Sequence, residues 1–118
     1  MDAKEPGARL SVRFYVASSG REPIREWLLA LLKDDRRSIG EDIKTVQLGW
    51  PLGMPVVRKL EPNLWEVRSH LKDGIARVLF TTVGQTMVLL HGVVKKRQVL
   101  PKSDLDLART RMKEVRDG

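Results

Sequence analysis

The feature that most limits what this chain can fold into is the stretch from Lys59 to Arg97, KLEPNLWEVRSHLKDGIARVLFTTVGQTMVLLHGVVKKR. It holds three apolar runs, Leu64–His70, Ile75–Thr82 and Thr86–Val94, separated by Asp73-Gly74 and Gly84-Gln85. Runs of this length, joined by short glycine-containing pairs, read as strands connected by tight turns. The block therefore predicts a three-stranded antiparallel meander, and the rest of the chain must cover it.

Basic side chains interrupt these runs where a half-buried sheet has little use for them. With Asp73-Gly74 as a two-residue turn, Lys72 faces Ile75, His70 faces Arg77 and Arg68 faces Leu79. Alternation then puts Trp65, Val67, Ala76, Val78 and Phe80 on a face that packs against helices. Glu66, Arg68, His70 and Arg77 share the other, which is expected to line a surface. A two-residue turn at Gly84-Gln85 adds Val94 and Lys96 to the Arg77 side and sends His91 and Lys95 to the core side. A bulge or longer turn exchanges those two sets, so spacing alone leaves Lys95 and Lys96 as alternatives.

Upstream, Leu10, Val12, Phe14 and Val16 alternate with Ser11, Arg13, Tyr15 and Ala17, which predicts a strand ended by Ser18-Ser19-Gly20. Pro23 suits the first turn of a helix whose stripe is Ile24, Trp27, Leu28, Leu31 and Leu32. Lys33 to Arg37 reads as a charged break, and Ile39, Ile43 and Val46 mark a second amphipathic helix closed by Gly49 and Pro51. Trp50 to Asn63 carries Pro51, Pro55 and Pro62 and reads as an ordered loop. After Pro101, Ser103 with Asp106 forms a weak capping box for a last helix with the stripe Leu105, Ala108, Met112 and Val115. The expected order is β-α-α-β-β-β-α, an α+β arrangement of helices on one sheet. Residues Met1 to Ala8 are expected to fray, and at 118 residues the chain is expected to form a single domain, 1–118.

The formal charge is +7, which points to a polyanion or an acidic protein as partner. The absence of cysteine removes disulfides, thiolate metal sites and cysteine nucleophiles. No apolar run approaches membrane-spanning length and no leader is legible, so a cytoplasmic protein without membrane contact is expected. His70 and His91 are the only histidines, and neither joins an Asp or Glu in a metal motif; no metal and no cofactor is expected. Trp27, Trp50 and Trp65 read as core or loop anchors, because aromatics at 5% do not furnish a stacking platform for single strands.

Each basic candidate also has a structural reading. Arg68 can pair with Glu66, and Lys95-Lys96-Arg97 can be a solvated strand end. Arg77, between Ala76 and Val78, is costly mid-strand unless used or paired. An Arg77 that only contacts phosphate would be replaceable by alanine without loss of fold.

The ordered set LWEVR, GIARVLF and MVLLHGVVKK, followed by a proline and a charged terminal helix, resembles the HigB-type, phage-derived branch of the RelE/ParE toxin superfamily. The resemblance spans about Lys59 to Lys113 and weakens over Arg21 to Trp50. It implies a RelE-like fold, an antiparallel sheet with a helical hairpin and a C-terminal helix. It further implies the toxin of a type II toxin–antitoxin pair, a metal-independent, ribosome-dependent mRNA endonuclease with a helix-turn-helix antitoxin as partner. By that resemblance Arg77 matches the arginine that contacts the scissile phosphate, and Arg68 lies close to where such enzymes place basic catalytic residues. Lys95 and Lys96 match the basic end of the last strand. Lys59, in the loop entering the sheet, His91 and Arg97 are candidate nucleic-acid contacts.

RNA cleavage through the 2′-OH builds negative charge on a phosphorane, which arginine stabilises by paired contacts. A lysine among cations, Lys95 or Lys96, is the first candidate for proton transfer, and His91 the second. The chain departs from the resemblance in lacking a tyrosine near its C-terminus, since its only tyrosine is Tyr15. That keeps open a non-catalytic toxin of the ParE-like, gyrase-directed kind, or a basic nucleic-acid-binding module.

Overall fold

The computed structural model describes residues 8–53, 55–95 and 99–118; of Met1 to Ala8, expected to fray, the first seven lie outside them, and Ala8 is buried. In chain order the elements are β1 (Ser11–Phe14), α1 (Pro23–Ala30), α2 (Lys33–Gly49), β2 (Val57–Glu61), β3 (Leu64–Leu71), β4 (Gly74–Val83), β5 (Thr86–Lys95) and α3 (Lys102–Asp117). The strands form one sheet in the order β1-β5-β4-β3-β2. The meander β3-β4-β5 is antiparallel, β2 extends it antiparallel beside β3, and β1 runs parallel to β5. The fold is α+β, with a mixed five-stranded sheet rather than a wholly antiparallel one.

Helices cover both faces. On one, Ile24 of α1 and Ile39, Ile43 and Val46 of α2 pack on Val67, Ala76, Val78, Phe80, Met87 and Leu89. Trp50 and Trp65 close this layer around Phe80, with ring centroids 5.0–5.7 Å apart, so both tryptophans spend their area on the core. On the opposite face α3 lays Leu105, Ala108 and Met112 on Leu64, Leu79, Val88 and Leu90. Alternation along β4 sends its odd and even residues into different layers, so the strand is buried on both sides.

Several expectations need correction. The stretch read as a loop contains β2, a five-residue edge strand. Its exposed Arg58 and Lys59 obscure the apolar alternation that would reveal it. The helical break falls at Leu31-Leu32, both with extended backbone, and not at Lys33 to Arg37. Those charged residues open α2, where Asp34 and Asp35 sit favourably in its first turn. α3 starts at Lys102 directly after Pro101, with no side-chain cap, so Ser103 is inside the helix. The β3-β4 loop is Lys72-Asp73, with Leu71 opposite Gly74, His70 opposite Ile75 and Arg68 opposite Arg77. This register differs by two residues from the expected one. A slip by an even number preserves faces, so the two side-chain sets stand as expected.

At Gly92 the Trp27 ring lies over the backbone: a Cβ built there would meet two ring carbons at 2.4 Å. Gly92→Ala is therefore expected to displace Trp27 and destabilise the fold by about 1–3 kcal/mol, as overpacking does. Urea unfolding of the two proteins checks this, and an unchanged midpoint would contradict the packing described.

Candidate functional site

The site is built by the register of four strands. Arg68 lies directly opposite Arg77, Glu66 opposite Leu79, and Arg58 of β2 opposite Glu66. Across β4-β5, Arg77 is opposite Val93, Leu79 opposite His91 and Ile75 opposite Lys95. The β4-β5 pairing shifts register between Leu79 and Phe80, where Leu90 is the surplus residue on β5. A bulge reverses the faces of everything beyond it. The two-residue turn at Gly84-Gln85 forms as expected, yet the bulge places His91 and Lys95, not Val94, on the Arg77 face. Arg58, Glu66, Arg68, His70, Arg77, His91 and Lys95 thus share one side of the sheet.

That side is not an open surface. Glu66 is 0% exposed and Arg77 1%, while the Arg68 side chain retains 14%. Two arginines directly across a strand pair repel unless an anion lies between or beside them. Glu66 supplies that charge, with its Oε1 3.9 Å from Arg68 Nε. Neither carboxylate oxygen of Glu66 has a hydrogen-bond partner among the described residues. Its burial is therefore offset by charge rather than by directed bonds. His70 and Lys95 are solvent-exposed at the margin.

α3 is tied to the sheet by polar contacts that also bound the site. His91 Nε2 and Asp104 Oδ1 are 2.7 Å apart, which fixes the imidazole against the first turn of α3. Arg111 donates to the Leu90 carbonyl at 2.8 Å and lies 5.0 Å from the Tyr15 ring centroid, satisfying the carbonyl of the surplus residue. The Tyr15 hydroxyl donates to Glu114, and this bond, reinforced by burial, raises the phenol above its ordinary value of 10.0. Arg109 donates Nε and Nη2 to Glu61 at 2.7–3.0 Å. These bonds hold the Glu61 carboxyl below its ordinary 4.5, against the opposing effect of partial burial.

Of the residues singled out from sequence, Arg68, Arg77, His91 and Lys95 are brought together. Lys59 is not: opposite Trp65, it is exposed on the other face and belongs to β2 rather than to a loop. Lys96 and Arg97 lie outside the described residues. Arg58 and Asp104 were missed, Arg58 because its strand was not legible. Asp104 belongs to no motif in the sequence, and only the docking of α3 carries it to His91. Tyr15 lies on the far side of α3, engaged with Glu114. Among the described residues no cluster of three or more His, Asp or Glu could hold a metal ion, and no helix is long and apolar enough to cross a membrane.

The model of the family described as phage-derived protein Gp49-like (DUF891) matches residues 26–113, from α1 through most of α3. The chain belongs to the Gp49-like family. The matched span contains every strand of the meander and each residue of the basic face named above. A comparison with curated proteins gives no match.

Burial changes what is expected of Arg77 in this Gp49-like chain. Arg77→Ala should cost about 3–5 kcal/mol, because it leaves Glu66 buried with one guanidinium fewer. Adding Glu66→Gln should recover part of that loss. Thermal and urea unfolding of the two single variants and the double variant measure the coupling. A fully stable Arg77→Ala protein would show that Arg77 plays no part in balancing Glu66.

The Glu61–Arg109 pair gives a pH dependence. The contribution of Glu61 is complete above about pH 4.5, its ordinary value, and is lost as pH falls through the lower folded value. The melting temperature should drop over that acid range in the native protein, and drop less in Glu61→Gln. Parallel curves for the two would assign the acid sensitivity to other groups.

Proposed function

We propose that this chain is the toxin of a type II toxin–antitoxin pair and cuts mRNA held on the ribosome. Membership of the Gp49-like family supports a toxin module, in line with the resemblance to HigB-type toxins carried by LWEVR, GIARVLF and MVLLHGVVKK. The observation that carries the reading is the convergence of Arg68, Arg77, His91 and Lys95 on one sheet face. The bulge in β5 produces it, in a chain of formal charge +7.

In this reading Arg68 and Lys95 meet the scissile phosphate, since both retain access to solvent. Arg77 acts through them: buried opposite Arg68, it is a positioning residue that sets the local field. His91, held at one ring nitrogen by Asp104, and Lys95 are the groups able to carry a proton between the 2′-OH and the leaving oxygen. The chain supplies charge but few groups to splay RNA, so the ribosome provides the alignment of the 2′-OH. A helix-turn-helix antitoxin is the proposed neutralising partner.

A non-catalytic toxin is the second reading, and two observations favour it. The matching arginine is buried, and the only tyrosine is spent on Glu114 across α3.

Incubation of the purified protein with naked mRNA and with the same mRNA on programmed ribosomes, followed by end mapping, separates the readings. Cleavage is expected on ribosomes alone and should weaken as salt rises. Lys95→Ala and Arg68→Ala should lower it about 10²–10³-fold, as loss of one electrostatic contact does, with Lys95→Ala unfolding at the native temperature. Equal cleavage of both substrates would make it a free ribonuclease. Cleavage of neither, with growth inhibition intact, would favour the non-catalytic toxin.

A further inference from the structure

The sheet has two edges, and the chain treats them differently. β2 is short, shifts register between Lys59 and Glu61, and presents exposed Arg58 and Lys59. These devices discourage strand addition. At the other edge β1 covers only Thr86 to Leu89 of β5, and no described strand pairs with the outer side of Leu90–Lys95. The hydrogen-bond phase identifies what that side offers. Val83 and Thr86 flank a two-residue turn, so they bond to each other and alternate residues follow. Carried past the bulge, the alternation leaves the N–H and C=O of Gly92 and Val94 directed away from β4. Neither residue makes a backbone hydrogen bond to a turn or loop among the described residues.

This edge is framed rather than blunted. A cavity of about 180 Å³ opens on it, lined by Ile24 and Trp27 of α1, His91 and Gly92 of β5, and Leu107 and Arg111 of α3. The helices belong to opposite layers, so the cavity sits between them at the sheet's margin. Its apolar walls leave room for one branched aliphatic side chain. Arg111 stands at one end of the open segment and exposed Lys95 at the other. The absence of a Cβ at Gly92 lets Trp27 pack close to the strand.

We propose that the outer edge of β5 at Gly92–Val94 accepts an extended acidic segment of another protein as an added strand. One aliphatic side chain of that segment fills the Trp27–Leu107 cavity. Backbone bonds to Gly92 and Val94 supply affinity, and the cavity with the flanking cations supplies selectivity. The proposal does not depend on nuclease activity, and its test involves neither RNA nor growth.

The probe is a synthetic peptide alternating valine and glutamate around a central leucine, with the full chain. At saturation, amide hydrogen exchange at Gly92 and Val94 should slow about tenfold or more, while β2 amides stay unchanged. Val94→Pro removes an outward donor at an edge position that tolerates proline, and should weaken binding about tenfold with the fold kept by circular dichroism. Leu107→Glu, which places a like charge in the cavity, should weaken it comparably. The proposal is overturned if millimolar peptide leaves both amides unprotected, if Val94→Pro and Leu107→Glu bind as the native chain does, or if protection maps to β2. Protection that rises with protein concentration without peptide would assign the edge to a second copy of this chain and equally overturn it.

Discussion

The surplus residue that β5 carries opposite Leu79 and Phe80 decides what the second half of that strand presents to each layer. Up to and including it, Val88 and Leu90 lie beneath α3. After it, His91, Val93 and Lys95 take over that side and Gly92 turns beneath Trp27. Without the bulge Lys95 would point at the α1-α2 layer and Val94 into the charged cluster. The cost of the irregularity is an unpaired carbonyl, which Arg111 satisfies at 2.8 Å. The basic face and the framed sheet edge both follow from this one displacement.

α3 divides the same face into a sealed part and an accessible part. Its apolar residues cover Leu64, Leu79, Val88 and Leu90, and its polar residues grip Glu61, Leu90, His91, Tyr15 and Thr82. Beyond its first turn lie Arg68 and Lys95, which keep contact with solvent, above a buried Glu66 and Arg77. Under the proposed function these two accessible cations are the ones that reach a phosphodiester, with the buried charges beneath them setting the local field. The buried part is a structural liability, because neither Glu66 nor Arg77 can be removed without changing the charge balance of a dry interior.

Much of the fold was legible from local signals. The alternation in Leu64–Thr82, the turn at Gly84-Gln85, the stripe Ile39, Ile43, Val46 and the proline at the start of α1 depend on neighbours in sequence, and all four are found. The partition of Glu66, Arg68, His70 and Arg77 from Trp65, Val67, Val78 and Phe80 also held. An error of two residues in register cannot change a side chain's face. β2 escaped notice because an edge strand needs only one buried face and can spend its other positions on charge.

Residue order by itself determined which side chains of a strand travel together, where the helices lie and that the meander carries excess positive charge, because periodicity and formal charge are local properties of the chain. Only the tertiary structure decided that Lys95 belongs with Arg77, that Arg77 is buried, and that α3 lies opposite α1 and α2 and brings Asp104 to His91. Those outcomes depend on a bulge whose extra residue has no mark in composition, and on the docking of a helix remote in sequence. Both are settled by which packing leaves the fewest buried groups without a partner.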